Sequence, residues 1–263
     1  MDKISKSQVK LVRSLQQKKY RDELGLFVAE GEKCVEELRK GFELEWLVME
    51  AAHPVNQSVL CQAKPVHILS AQRPEIEQMS SLRTPQGVIG VFKKRDLSSF
   101  TFHLSPLTLA LDSIQDPGNL GTIIRTCDWF GVHDIYCSPD TADCYNPKVV
   151  QATMGALARV RIHYVNLPEW LKVKSQELRA IYGTLLDGED MYKVLKAKSQ
   201  ELRTNSHSVI IMGNEGNGIS AAVRELITHP IRIPSYPADA ETSESLNVSI
   251  ATAIVLAEFR RPR

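Results

Sequence analysis

The sequence predicts an α/β protein built on a parallel sheet. Two observations carry that reading. The apolar run at residues 107–112 has the character of a strand buried on both faces, and residues 208–212 read as a further strand. Helical patterns separate such runs, so strand and helix alternate along the chain. A third observation concerns the loops. Residues 112–121, 213–218 and 233–247 each carry polar or glycine-rich chemistry directly after a strand. Ligands gather at the carboxyl ends of parallel strands, so the three loops are expected to form one composite site.

Composition narrows the class. The 263 residues suffice for one large domain or two smaller ones, and 43% hydrophobic with 24% charged residues is an ordinary soluble mix. A formal net charge of +1 gives no global basic field, so a nucleic-acid partner must be drawn by local patches. Cys34, Cys61, Cys127, Cys137 and Cys144 form no CxxC pair and no zinc-spaced cluster. They are expected to be free thiols in a reducing cytoplasm, with no metal bound. The first residues lack the apolar core of a signal peptide. No apolar run reaches the roughly 20 residues that span a bilayer, so a cytoplasmic protein without membrane contact is expected.

Residues 1–96 read as a small α/β unit. Between residues 3 and 21, Lys3, Lys6, Lys10, Arg13, Lys18, Lys19 and Arg21 face no acid, while Val9, Leu11, Val12 and Leu15 supply an apolar side. An amphipathic basic helix with a phosphate-contacting face is the expectation. Strands are predicted at 26–30, 44–49, 66–69 and 88–92, with helices at 31–38 and 71–79 and turn chemistry at Thr84-Pro85-Gln86-Gly87. His53 and His67 stand alone, and nothing in the unit looks catalytic. Residues 97–106 read as a linker.

Residues 107–263 carry the chemistry. The strand at 107–112 leads to Asp116-Pro117-Gly118-Asn119-Leu120-Gly121, which opens a helix at 122–130. Asn119 is placed in the loop and Arg125 on the helix, among apolar Ile123, Ile124, Cys127 and Phe130. An arginine so placed is expected to be held toward a site. A strand at 134–137, a polar loop at 138–147 and a strand at 181–185 follow, while Lys172, Lys174 and Arg179 and residues 193–203 read as exposed faces. The strand at 208–212 runs into Gly213-Asn214-Glu215-Gly216-Asn217-Gly218. Its glycines allow close approach of a ligand, yet their spacing is not the ordered GxGxxG, and no P-loop lysine is present. Glu215 would repel a phosphate, so the loop suits a cationic or hydroxyl-bearing ligand. The last strand, at 231–234, precedes Ser245-Leu246-Asn247-Val248-Ser249 and a helix with Ile250, Ala253, Ile254 and Ala257 at helical spacing. One N-cap needs one short polar residue, and here there are three, which points to a helix start that also receives a ligand.

Taken together these segments resemble the SpoU/TrmH branch of the SPOUT RNA methyltransferases. Asn119-Leu120-Gly121-Thr122-Ile123-Ile124-Arg125 is similar to the first motif of that family, Gly213-Asn214-Glu215-Gly216-Asn217-Gly218 to the second, and Ile233-Pro234 with Ser245-Leu246-Asn247-Val248-Ser249 to the third. The three motifs stand in the family's order over about 140 residues, and residues 1–96 resemble, more loosely, the small substrate-binding module often placed before this domain. The resemblance implies a parallel sheet whose C-terminal segment threads a trefoil knot, and a homodimer with the site near its interface. It implies S-adenosylmethionine as cofactor and a ribose 2′-O-methyl group as product. The RNA is then ribosomal RNA in preference to transfer RNA, because the N-terminal module is present.

The resemblance also assigns residues. Arg125 would act at the ribose hydroxyl, with Asn119, Glu215, Ser245 and Asn247 orienting it and shaping the site. Gly213, Asn214, Ile233 and Leu246 would hold the cofactor. A guanidinium resists deprotonation, so Arg125 suits stabilising an alkoxide or holding a phosphate, and the general base stays open. The acidic stretch Ala238-Asp239-Ala240-Glu241-Thr242 departs from the family pattern. The alternatives are a transfer RNA 2′-O-methyltransferase and a non-catalytic RNA-binding protein of the same fold.

Overall fold

In a computed structural model of the chain, the structure describes residues 2–51, 67–96, 105–197, 207–237 and 245–261. His53, Cys61, most of the expected linker and the acidic stretch 238–242 lie outside the described residues. The chain divides into two compact units, Met1–Ser99 with Asp143–Arg159, and Phe100–Ala142 with Val160–Arg263.

The first unit holds β1 (Asp2–Lys3), α1 (Lys6–Ser14), α2 (Lys18–Leu24), β2 (Leu26–Glu30), α3 (Glu32–Leu38), β3 (Leu44–Glu50), β4 (His67–Ala71), α4 (Arg73–Met79) and β5 (Val88–Lys93). Its sheet runs β1-β4-β3-β5-β2, parallel across the first three strands and antiparallel at β5. Val9, Val12 and Leu15 pack into a core with Val28, Val48, Ile76 and Ile89. That burial leaves Lys6, Lys10 and Arg13 exposed on the opposite side of α1.

The single basic helix expected over residues 3–21 is two helices. Ser5 caps α1 through a capping box with Gln8, and the helix ends at Leu15. Arg21 does not belong to the basic face. It is 1% exposed, and its Nε and Nη2 donate to Asp143 Oδ2 at 3.0 and 2.6 Å. Its Nη1 donates to the carbonyls of Leu15 and Gln16, both at 2.9 Å. The acid that turns this side chain inward comes from far along the sequence, which no local count of charges reveals.

The second unit contains β6 (Leu107–Leu111), α5 (Pro117–Trp129) and β7 (Asp134–Cys137). The next helix, α6 (Pro147–Thr153), lies in the segment that groups with the first unit. The chain then forms β8 (Arg161–Tyr164), α7 (Leu167–Lys174), β9 (Ala180–Asp190), α8 (Met191–Ala197), β10 (Ser208–Met212), α9 (Ala221–Arg224), β11 (His229–Arg232) and α10 (Val248–Phe259). All six strands are parallel in the order β11-β9-β10-β6-β7-β8. Every residue of β6 and β10 is buried, as strands covered on both faces require. Helix α7 buries Leu167, Trp170 and Leu171, so it is amphipathic and not the wholly exposed segment expected around Lys172. Among the described residues, no helix is long and apolar enough to cross a membrane.

The strand order places β6 beside β10 at the middle of the sheet, with β7 and β8 on one side and β9 and β11 on the other. The crevice outside their carboxyl ends is where an open parallel sheet binds ligands.

Candidate active site

Three caps and turns build that crevice. At the end of β6, Asp112 is buried and its Oδ2 accepts from Ser220 N at 2.8 Å. Asp116 then caps α5, its Oδ1 accepting from Asn119 N at 2.7 Å, with Pro117 at the first helical position. Asn119 therefore sits in the first turn of α5, not in the preceding loop, because the cap falls before the Pro-Gly pair.

At the end of β10, Asn214 folds the glycine loop on itself. Asn214 and Gly218 exchange backbone hydrogen bonds of 2.9 Å, and Asn214 Oδ1 accepts from the amides of Gly216 and Asn217 at 2.8 and 3.0 Å. Asn214 Nδ2 donates to Ser113 O at 2.7 Å, which ties the ends of β6 and β10 together. A Cβ at Gly213 would lie 2.4 Å from Gly218 C and 2.5 Å from Ile219 N, so only glycine fits this backbone crossing.

The third element is the start of α10. Asn247 is its N-cap, with Oδ1 accepting from Ser249 N at 3.0 Å, Ile250 N at 3.3 Å and Ser249 Oγ at 2.6 Å. Those bonds fix the amide so that Nδ2 donates to both Asn119 Oδ1 and Glu215 Oε1, each at 3.0 Å. Asn119 Nδ2 also donates to Glu215 Oε1. Asn119, Glu215 and Asn247 thus close a hydrogen-bonded triangle drawn from all three expected loops. The surplus of polar residues before α10 is explained in part: Asn247 caps, Ser249 holds the cap, and Ser245 is exposed beside a cavity.

Two cavities flank the triangle. The larger, about 480 Å³, is lined by Gly213, Asn214, Ile233, Ser245 and Leu246, and by Leu185 and Asp187 at the side of β9. The smaller, about 280 Å³, lies at the start of α5 and is lined by Gln115, Asp116 and Asn119. All four residues expected to hold a cofactor therefore line one cavity. The stretch from Thr184 to Asp187, with Arg224 paired to Asp187, was not among the expected site residues. The strand expected at 181–185 ends within this stretch, whereas β9 runs on to Asp190.

Arg125 is placed differently from expectation. Ile123, Ile124 and Cys127 face the core, which turns Arg125 to the solvent side of α5 with Trp129. It lines neither cavity, and it makes no hydrogen bond or ion pair with the described residues. Apolar neighbours along a helix place a residue on the opposite face when the offsets fall short of a full turn.

Cys34, Cys127, Cys137 and Cys144 are buried thiols outside any disulfide, and burial pushes the Cys34 thiol up to about 11. Among the described residues, no group of histidines, cysteines and carboxylates could hold a metal ion.

Comparison with known proteins identifies the family. The family model for the SpoU rRNA Methylase family matches residues 106–257, and that for the MRM3-like substrate binding domain matches residues 6–90. The chain is 30% identical over 257 residues to the 23S rRNA (guanosine(2553)-2'-O)-methyltransferase RlmP of Bacillus subtilis, covering 96% of this chain and 95% of that protein. It is 33% identical over 264 residues to the uncharacterized tRNA/rRNA methyltransferase slr1673 of Synechocystis, covering 96% and 90%. An AdoMet-bound rRNA methyltransferase from Sinorhizobium meliloti shares the fold at a TM-score of 0.82 and 31% identity, covering 99% of this chain and 96% of that one. With its three loops, its parallel sheet and these matches, the chain belongs to the SpoU rRNA methylase family.

Proposed function

We propose that this protein transfers the methyl group of S-adenosylmethionine to a ribose 2′-hydroxyl of ribosomal RNA. The observation that carries the reading is the Asn119–Glu215–Asn247 triangle between two cavities at the carboxyl ends of β6 and β10. The relatives named above support the substrate, since one acts on 23S rRNA by its name. The AdoMet-bound relative supports the cofactor.

The residues of the larger cavity fit that cofactor. Ile231, Ile233 and Leu246 give apolar walls for an adenine, and the bare backbone at Gly213 admits close approach. Glu215 presents a carboxylate of the right sign for a sulfonium. When bound, the cofactor supplies an electrophilic methyl group. The chain supplies position: Ile233 and Leu246 flank the base, Gly213 and Asn214 offer backbone contacts, and the triangle fixes the side facing the acceptor.

Residues 1–96 serve as the RNA-binding module and residues 107–263 as the catalytic domain, joined through 97–106. Lys6, Lys10 and Arg13 on the exposed side of α1 contact phosphates, so RNA affinity falls with salt. The C-terminal segment threads the trefoil knot of the family, and the protein works in the cytoplasm. It does so as a homodimer. Trp129 is 85% and Ile250 54% exposed on α5 and α10, two helices that pack against each other. A second copy covers this apolar face and brings Arg125 from the surface to the interface, where it holds a phosphate or the developing alkoxide.

Titration with S-adenosylhomocysteine, sedimentation and methyl transfer by Arg125→Ala test this reading. The expected result is a dimer that binds S-adenosylhomocysteine and loses transfer in the variant with its thermal melt unchanged. Full activity in Arg125→Ala removes the role given to Arg125. A protein that neither binds the ligand nor transfers methyl is a non-catalytic RNA-binding protein of this fold.

A further inference from the structure

We infer that the smaller cavity receives the acceptor ribose and that Glu215 Oε2 takes the proton of its 2′-hydroxyl. The inference rests on the methyltransferase reading and assigns the base which that reading leaves open. The two cavities share Asn214, Glu215, Gly216 and Val248 as a common wall. Glu215 is the one ionisable side chain in that wall, so it is the titratable group that faces donor and acceptor together.

Its two oxygens are not equivalent. Oε1 accepts from Asn119 Nδ2 and Asn247 Nδ2, which fixes the carboxylate plane. Oε2 has no hydrogen-bond partner among the described residues, and Glu215 is exposed. A carboxylate clamped through one oxygen and open at the other is pre-oriented for a hydroxyl proton. The remaining candidates fail on geometry or chemistry. Asn119 is an amide with both polar atoms already in the triangle. Asp116 lines the smaller cavity alone and does not border the cavity assigned to the donor. Arg125 lines neither cavity, and a guanidinium does not give up its proton.

The step balances without a further reactant. The 2′-O–H bond breaks and its proton passes to Glu215 Oε2. The oxygen bonds to the methyl carbon as the carbon–sulfur bond breaks, and that electron pair stays on sulfur, leaving a neutral thioether. Gln115, at the rim of the same cavity, offers an amide to the nucleotide that carries the ribose.

The test uses the full-length protein, S-adenosylhomocysteine and unmodified ribosomal RNA. Glu215→Gln keeps an oxygen to accept both asparagine bonds and removes the proton acceptor. The expected result is S-adenosylhomocysteine affinity within about twofold of the parent, with single-turnover transfer lower by roughly 10²–10⁴. In Glu215→Ala, added formate or acetate should restore part of the rate, with acetate, the more basic, restoring more. Transfer by Glu215→Gln at the parent rate overturns the inference and leaves the methyltransferase reading intact. Loss without rescue in Glu215→Ala makes Glu215 a positioning residue and also overturns it. A parent protein that neither binds S-adenosylhomocysteine nor transfers methyl overturns the underlying reading and this inference with it.

Discussion

Asn247 Nδ2 donates to Glu215 Oε1 at 3.0 Å, so the residue that caps the last helix also clamps the carboxylate of the glycine loop. The two duties separate in Asn247→Asp. The cap survives, since aspartate and asparagine are equivalent there. The donor is lost, and an oxygen then faces Asn119 Oδ1 and Glu215 Oε1. Loss of these bonds should cost about 1–3 kcal/mol in the transition state, or roughly tenfold to a hundredfold in rate. The thermal melt should stay close to that of the parent. Equal transfer by both proteins would separate the triangle from the chemistry.

Gly213 makes a sharper demand on binding. An alanine Cβ would lie 2.4 Å from backbone at Gly218, and backbone cannot step aside as a side chain can. Gly213→Ala should weaken S-adenosylhomocysteine binding at least about tenfold by calorimetry, because the loop lining the larger cavity must shift. Unchanged affinity would mean that the cofactor does not depend on this loop.

Arg21 and Asp143 form a staple within the first unit, with side chains 2% and 10% exposed. Arg21→Met leaves the Asp143 carboxylate buried without its partner. The expected loss is about 3–5 kcal/mol by urea denaturation, since a broken buried pair leaves an uncompensated charge. A loss below about 1 kcal/mol would show that water or another cation replaces the guanidinium.

Asp134, at the amino end of β7, sets an acid-sensitive point far from the cavities. Burial pushes its carboxyl up, but hydrogen bonds from His163 and Arg161, the Arg161 charge and Ser105 outweigh that and hold it well below the usual carboxylate range. A depressed value contributes stability that is fully present above the unfolded pKa of about 3.9 and is lost as pH falls toward the folded one. Between pH 5 and pH 3, roughly, the parent should lose urea resistance faster than Asp134→Asn, which has no such proton to take up. Parallel decline of the two proteins would show that other carboxylates dominate acid unfolding.

The sequence made the catalytic half of the fold legible because its signals are local. Apolar runs such as 107–112 and 208–212 became the buried centre of a parallel sheet, and the loops after them met as expected. Asn119, Glu215 and Asn247 were found by residue type and by resemblance, and the structure brings them within hydrogen-bond reach. What escaped was set by distant partners or by helix phase. The burial of Arg21 depends on Asp143, and the exposure of Arg125 depends on which side of α5 meets the core. Leu185 and Asp187 escaped because they lie within β9 itself and not in a loop after it.

The central claim is most directly tested by methyl transfer from labelled S-adenosylmethionine to unmodified ribosomal RNA and, separately, to transfer RNA, with each product digested to nucleosides. The account predicts one labelled 2′-O-methylnucleoside, released from the ribosomal RNA. Label on a base, or in transfer RNA alone, would contradict it.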